Sequence, residues 1–367
     1  MSIYEKTSKI KFYQNYLINT SKLFLKKPNA KEVVHINFAV TYRCNSRCST
    51  CNIWEIYKKN PKKINDELKL DEICTIFNNS SCLSGIQGIN LTGGEPILRK
   101  DFVDLCGFFI EKYPNINLGL STNGLLPHIL LRKIEKLVDT YNPMLENVHL
   151  SISLDGIKEI HDKMRGISGN YEKILEMIKS VKLNFPQMKQ SLSFTITPKN
   201  YKEILKVYEL SKSMEIGFGI QFAQINDSFY LNSEKSFEWD TAKLNDVENM
   251  IYQIISDVRS KQNIAHKLDV SRYFMGNMVK FQRNKWDNLN NCYSGTHSCF
   301  LDPYGNVYPC IMLDEKMGNA LETNFDNFWL SENASNIRSH IKENKCRCWT
   351  PCEAFKSLSR DPKLLFK

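Results

Sequence analysis

Three cysteines fall within eight residues, Cys44-Asn-Ser-Arg-Cys48-Ser-Thr-Cys51. Three thiolates on one short loop suit three corners of an iron–sulfur cube and leave the fourth iron free. A free iron admits an outside ligand, by the logic that keeps one position open on a catalytic zinc. A zinc site and a group of buried thiols are the competing readings, although a structural zinc takes four ligands and no fourth Cys or His is near in sequence. Six more cysteines, Cys292, Cys299, Cys310, Cys346, Cys348 and Cys352, crowd the last 76 of 367 residues. Of the twelve, only Cys74, Cys82 and Cys106 stand apart, and these read as small buried apolar side chains. Such usage in a long chain without a signal-peptide pattern points to metal or redox chemistry rather than disulfides.

A cysteine loop needs elements to hold it. From residue 35 to about 225, short β-rich runs alternate with amphipathic stretches. Strands are expected at His35–Thr41, Ile86–Thr92, Ile116–Ser121, Val148–Leu154, Leu192–Thr197 and Ile216–Ala223. Helices are expected at Lys69–Asn78, Asp101–Lys112, Pro127–Val138, Tyr171–Leu183 and Tyr201–Ser213. Strands alternating with helices imply a parallel sheet with right-handed crossovers. Six strands are two short of a closed barrel. The expected fold class is therefore α/β: a partial (βα)6 TIM-like barrel, open on one side, with a small C-terminal Cys-rich domain. The segments TGGEP, STNG and SLDG each follow a strand, and the C-terminal ends of parallel strands converge on one mouth, where such folds place their sites.

Cys-x3-Cys-x2-Cys after the first strand and Gly93-Gly94-Glu95-Pro96 after the second resemble the radical S-adenosylmethionine (radical SAM) superfamily. Ser121–Gly124 (STNG), Ser153–Gly156 (SLDG) and His161–Gly166 (HDKMRG) extend the resemblance over residues 35–225. Thr50 departs from the aromatic residue that the family often has beside the last cysteine. The resemblance implies that Cys44, Cys48 and Cys51 hold a [4Fe–4S] cluster whose open iron binds the amino and carboxylate groups of S-adenosylmethionine. An electron from the cluster then yields a 5′-deoxyadenosyl radical that takes hydrogen from an unactivated carbon. Gly93 and Gly94 are expected to let the backbone approach the ligand. Glu95 is expected to accept hydrogen bonds from the cofactor's ammonium, while Pro96 stiffens the turn. Ser121 and Asn123 would face the ribose or the methionyl part, and Ser153 and Asp155 would do the same from the fourth strand. The planar guanidinium of Arg165 suits a carboxylate. A turn-forming or surface role is the alternative for each, Asn123 and Asp155 above all. His161 and Asp162 are expected to hold the local loop. No residue is assigned to hydrogen abstraction itself.

Further along, Cys292-x12-Gly305-x4-Cys310 precedes Cys346-Arg-Cys348-Trp-Thr-Pro-Cys352. This resembles the auxiliary-cluster domains of radical SAM enzymes, called SPASM or, when shortened, twitch. Six cysteines are too few for two further clusters, so the resemblance implies one more [4Fe–4S] cluster and two in all. Its expected ligands are Cys292, Cys310, Cys348 and Cys352, with Cys346 and then Cys299 as alternates. A zinc ribbon is the competing reading. Trp349, Phe355 and the tail Leu364-Leu365-Phe366 are expected to pack this domain on the barrel.

Composition narrows the rest. Hydrophobic residues at 42% and charged residues at 24% match an ordinary globular protein and exclude a disordered or fibrous one. No apolar run approaches the roughly 18 residues of a membrane span, and a cytoplasmic location is expected. Of the net charge of +9, residues 1–31 hold seven Lys and one acid, so the remainder is nearly balanced and no nucleic-acid partner is expected. The division expected is a basic helical arm over 1–34, the barrel over 35–230, a helical connector over 231–291 and the iron–sulfur domain over 292–367. The arm reads as a helix packed on the barrel, with peripheral membrane contact as the alternative. About 34 residues before the first strand are too few for a leader-peptide-binding domain. That tilts the expected substrate toward a small or sugar-linked molecule, oxidised or epimerised, with peptide modification as the runner-up. A low-potential electron donor such as flavodoxin or ferredoxin is the expected partner. A non-catalytic iron–sulfur electron carrier is the alternative of another class, and it has no use for the GGEP, STNG and RG segments.

Overall fold

The structure, a computed structural model, describes residues 30–260, 270–283, 292–343 and 348–358. The arm expected over 1–34 lies outside these residues except for its last five, and Cys346 and the tail 364–366 lie outside them too. The barrel runs β1 (His35–Thr41), α1 (Leu70–Asn78), β2 (Gly88–Gly93), α2 (Phe102–Lys112), β3 (Asn117–Thr122), α3 (Pro127–Tyr141) and β4 (Val148–Ser153). It continues through α4 (Glu159–Arg165), α5 (Asn170–Asn184), β5 (Lys189–Ile196), α6 (Ile204–Ser213) and β6 (Gly217–Phe222). Neighbouring strands from β1 to β6 pair in parallel, as the alternation of strand and helix requires. Element ends fall within three residues of the expected ones, β1 matching at both, and α4, which carries the HDKMRG segment, was not expected as a helix.

Side chains alternate along each strand and separate the two faces of the sheet. Phe38, Leu91, Leu150, Ile152, Phe194 and Ile196 are buried in the apolar core with helix residues such as Ile73, Phe109, Ile134 and Ile178. Each such burial is worth about 1.5–3 kcal/mol. The opposite face carries Asn37, Asn90, Gly119, Ser151, Ser153, Ser191 and Ser193, residues too small to fill the interior, and a cavity remains there.

Beyond β6, the segment expected as a helical connector contains α7 (Thr241–Ser260) and α8 (Val270–Gln282). The C-terminal segment then departs from expectation. A strand too short to show periodicity, β7 (Ser298–Leu301), pairs in parallel with β1, His35 opposite Ser298 and Phe38 opposite Leu301. It continues into antiparallel β8 (Asn306–Tyr308) and β9 (Gly318–Asn319), giving the order β6-β5-β4-β3-β2-β1-β7-β8-β9. Helices α9 (Phe325–Trp329), α10 (Glu332–Glu343) and α11 (Pro351–Leu358) follow. Trp329, Val307 and Leu301 belong to the same apolar core as Phe38, so apolar burial holds this segment to the barrel. Trp349 and Phe355 stack on Phe274 of α8, with centroids 5.5 and 4.7 Å away, and pack with it in the apolar core that includes the barrel strands. Among the described residues no helix is long and apolar enough to cross a membrane.

Candidate active site

The loop that leaves β1 is pinned by backbone bonds before any ligand is considered. Arg47 N–H donates to Arg165 O at 2.9 Å and Ser49 N–H to Met164 O at 2.8 Å, tying the loop to the end of α4. Trp54 Nε1 donates to Cys51 O at 3.1 Å, and Asn232 Nδ2 to Thr50 O at 2.8 Å. Cys44, Cys48 and Cys51 thereby share one wall of the cavity. Ser46 N–H lies 3.4 Å from Cys44 Sγ, Ser46 Oγ 3.2 Å from Cys48 Sγ, and Ile53 N–H 3.5 Å from Cys51 Sγ. Burial pushes the Cys44 and Cys51 thiols up to about 12, so their deprotonation requires a cation to replace water. Among the described residues no three His, Cys, Asp or Glu side chains close on a single ion. A sulfur-only donor set with no carboxylate or imidazole fits an iron–sulfur cluster.

Gly93 and Gly94 cross directly over this loop. A Cβ on Gly93 would meet Thr41 O at 2.2 Å and one on Gly94 would meet Arg43 O at 2.2 Å, and Gly93 has φ +119°. The close approach expected toward a ligand is here made to the chain itself, with Gly94 N–H donating to Thr41 O at 2.7 Å. Both glycines still line the cavity, as do Ser121, Asn123, Ser153 and Arg165. Glu95, Pro96 and Asp155 do not. Glu95 is fully buried and receives hydrogen bonds from Thr122 Oγ1 at 3.0 Å and Asn123 N–H at 2.7 Å. Burial raises its pKa to about 7. It holds the third strand's end, where contact with the cofactor was expected. Pro96 opens a turn of 3-10 helix, Pro96–Leu98.

Asp155 is likewise turned inward. Its Oδ1 accepts from Thr195 N–H at 2.8 Å, and its Oδ2 lies 2.7 Å from Arg165 Nε. Arg165 in turn places Nη1 3.6 Å from Cys48 Sγ. Burial alone would lower the Arg165 pKa, but Asp155 and Cys48 beside it raise it instead. Asn123 forms the turn, its Oδ1 accepting from Leu125 N–H at 3.0 Å, and its Nδ2 donates to Asn45 Oδ1 at 2.8 Å beside the thiols. His161 Nδ1 accepts from Asp155 N–H at 3.0 Å, and Asp162 accepts from Gly169 and Tyr171 N–H, so both hold the loop. Burial, then Arg165, lowers His161 to about 3, and its imidazole is neutral.

Sequence reasoning missed most of the remaining wall. His149 and Ser151 alternate with the expected Ser153 along β4, as Ser191, Ser193 and Thr195 do along β5, and the register sets Ser151 against Ser191 and Ser153 against Ser193. The signal was there, in polar residues at every second position of strands whose other face is apolar. Trp54, three residues past Cys51, lines the cavity with Phe229 and Tyr230, aromatic surface that Thr50 does not supply. The cavity is about 460 Å³.

The C-terminal cysteines divide. Cys292, Cys310 and Cys348 lie within electrostatic reach of one another. Burial raises the Cys310 thiol and pushes Cys348 up to about 12. Cys352, expected to join them, instead lines the cavity and packs with Cys51 against the cluster of Phe229, Phe300 and Ile311. The charges around its thiol are Lys356 and Glu353 rather than the other cysteines, because the first turn of α11 presents it to the barrel mouth. Cys299 sits within β7, fully buried in the apolar core. A buried polar line joins the two regions. Asn90 Nδ2 donates to Asn37 Oδ1 at 3.0 Å and Asn37 Nδ2 to Glu353 Oε1 at 3.3 Å. The Ser294 and Ser298 hydroxyls donate to Glu353 Oε2 at 2.8 and 2.6 Å, and Cys292 Sγ lies 3.3 Å from Ser294 Oγ.

Comparison with known proteins agrees with this geometry. Residues 38–211 match the model of the radical SAM superfamily, and residues 292–353 match SPASM, an iron–sulfur cluster-binding domain. The chain is 28% identical over 320 residues to the AdoMet-dependent heme synthase of Methanosarcina barkeri, covering 83% of each chain. It is 26% identical over 354 residues to a cysteine-type anaerobic sulfatase-maturating enzyme of Clostridium novyi, covering 87% of this chain and 86% of the relative. The crystal structure of Streptococcus suis SuiB bound to S-adenosylmethionine shares the fold, with a TM-score of 0.60 at 13% identity over 84% of this chain and 68% of that one. The C-terminal match favours iron–sulfur binding over a zinc ribbon. Residues 38–211 are thus a radical SAM superfamily domain and residues 292–353 a SPASM iron–sulfur domain, whose cofactors are [4Fe–4S] clusters and S-adenosylmethionine.

Proposed function

We propose that Cys44, Cys48 and Cys51 hold the cluster that cleaves S-adenosylmethionine, and that the substrate is a neutral, hydroxyl-bearing small or sugar-linked molecule that is oxidised or epimerised. The observation that carries the substrate class is the cavity wall. Among the described residues that line it there is no Lys, Asp or Glu; Arg165 is the one permanent charge, and Asp155 already pairs with it. His149 adds none, because burial and then Lys189 lower its pKa. A polyphosphate or polycarboxylate would there bury charge without partners, at a cost of several kcal/mol. Hydroxyls and amides find partners in Ser151, Ser153, Ser191, Ser193 and Gln221.

When bound, the cluster and cofactor supply the electron and the 5′-deoxyadenosyl radical. The chain's part is positioning. Gly93 and Gly94 form the floor beside the thiols, and Ser121, Asn123 and Ser153 offer hydrogen bonds at successive strand ends. Arg165, held by Asp155 and 3.6 Å from Cys48 Sγ, would offer its remaining donors to the carboxylate of the cofactor. Cys292, Cys310 and Cys348 would hold a second cluster, suited to take the electron that an oxidation releases. A peptide substrate is the second reading, favoured by the sulfatase-maturating relative that matches over 87% of this chain.

The test is anaerobic turnover of candidate substrates in heavy water, followed by mass spectrometry. Deoxyadenosine together with loss of two hydrogens from a hydroxylated metabolite supports oxidation, and gain of one deuterium supports epimerisation. Turnover of peptides alone would replace the small-molecule reading. Absence of deoxyadenosine under every reductant would leave an electron carrier.

A further inference from the structure

The thiol loop has two sides. Cys48 and Trp54 line the reaction cavity, and the same two residues line a second recess of about 610 Å³ that opens outward. At Cys48 the wall between cavity and solvent is therefore one side chain thick. The recess is edged by Arg47, Lys59 and Lys235. The Arg47 guanidinium lies 4.9 Å from the centre of the Trp54 ring and Lys58 Nζ lies 5.5 Å from it. The two acids in the recess, Glu55 and Glu234, are already paired with Lys59 and Lys235. Around it, residues 43–63 carry six cations and one acid, and Arg43, Arg47, Lys58, Lys59, Lys62 and Lys63 are all exposed. Residues 43–63 thus carry a net charge of +5 where the thiols come nearest the surface, whereas the described residues taken together carry 35 Lys and Arg against 36 Asp and Glu.

We propose that this recess is the docking site of an acidic one-electron carrier protein, and that the electron enters at Cys48 and Trp54. The inference rests on the functional reading above and adds the partner's face to it. Electron transfer falls steeply with distance, so a carrier gains most by docking where one side chain separates it from the thiol-held centre. Complementary charge raises the encounter rate by steering, an effect that salt screens. The step balances simply: the carrier is oxidised by one electron, the cluster is reduced by one, and no bond or proton changes.

The test compares two reductants on the reconstituted full-length protein. Lys58→Glu with Lys59→Glu reverses the rim, while Lys173→Glu with Lys179→Glu on the exposed face of α5 makes the same charge change elsewhere. With dithionite, all three proteins should convert S-adenosylmethionine to deoxyadenosine within twofold of one another. With chemically reduced flavodoxin at low salt, the rim variant alone should lose at least tenfold in cluster-reduction rate. Its rate should also depend less on salt, and it should bind oxidised flavodoxin at least tenfold more weakly. An equal loss in the α5 variant, an equal loss with dithionite, or no loss at all would each overturn the docking site. Failure of the unmodified protein to make deoxyadenosine with dithionite would instead overturn the radical SAM reading beneath it.

Discussion

Arg165 illustrates how one residue's role depends on another that never reaches the cavity. Its guanidinium is almost wholly buried, and the carboxylate that balances its charge belongs to Asp155, 2.7 Å away. Asp155→Asn should therefore cost about 3–5 kcal/mol of stability, because it leaves a buried cation without its partner. Urea unfolding of the metal-free protein measures this, and a change under 1 kcal/mol would show that solvent or Cys48 suffices. Glu95 gives a pH signature. Its folded pKa of about 7 lies above the ordinary carboxylate value of 4.5 because burial disfavours the charge. Between those pH values the folded state binds a proton that the unfolded state releases, so stability falls as pH rises through that window and levels off above it. Glu95→Gln keeps an acceptor for Asn123 N–H and should flatten the dependence in urea titrations from pH 4.5 to 7.5. The motif residues were legible in the sequence, but the direction each side chain faces was not. Glu95 and Asp155 were read as ligand contacts, because a strand-end position says nothing of which neighbour closes over it.

At the scale of elements, α11 decides what the C-terminal cysteines can do. Cys348 precedes the helix and faces Cys292 and Cys310, whereas Cys352 in its first turn faces the cavity beside Tyr230. Cys348→Ala should lose the iron of the C-terminal site, about four atoms per chain, while Cys352→Ala should retain it. Iron assay with electron paramagnetic resonance of the reduced protein distinguishes them, and equal loss from both would return Cys352 to the ligand set. The spacing Cys-x3-Cys placed both thiols in one short segment. It did not reveal that a helix begins between them and sends the second toward the barrel. Glu353, buried among Ser294, Ser298 and Asn37, fixes that helix across the β1–β7 junction.

The whole molecule is organised around the edge of β1 that β7 covers. Without β7 that edge would expose unpaired backbone along a strand buried from Ile36 to Thr41. A fragment of residues 30–230 should accordingly aggregate or melt without cooperativity, as circular dichroism and light scattering would report. A soluble fragment with a sharp transition would show the barrel to be self-sufficient. The sequence by itself determined the alternation of strand and helix, and hence the parallel barrel, because hydrophobic period and strand-end turns are local signals. It also determined the thiol loop, whose three cysteines fit within eight residues. Only the tertiary structure decided that a four-residue strand from the far end of the chain completes the sheet. It alone decided that Asp155 serves Arg165, that Cys352 leaves its neighbours, and that the cavity carries almost no charge. Each of these depends on residues distant in sequence meeting across a packed core, where burial and pairing, rather than spacing along the chain, set what a side chain can do.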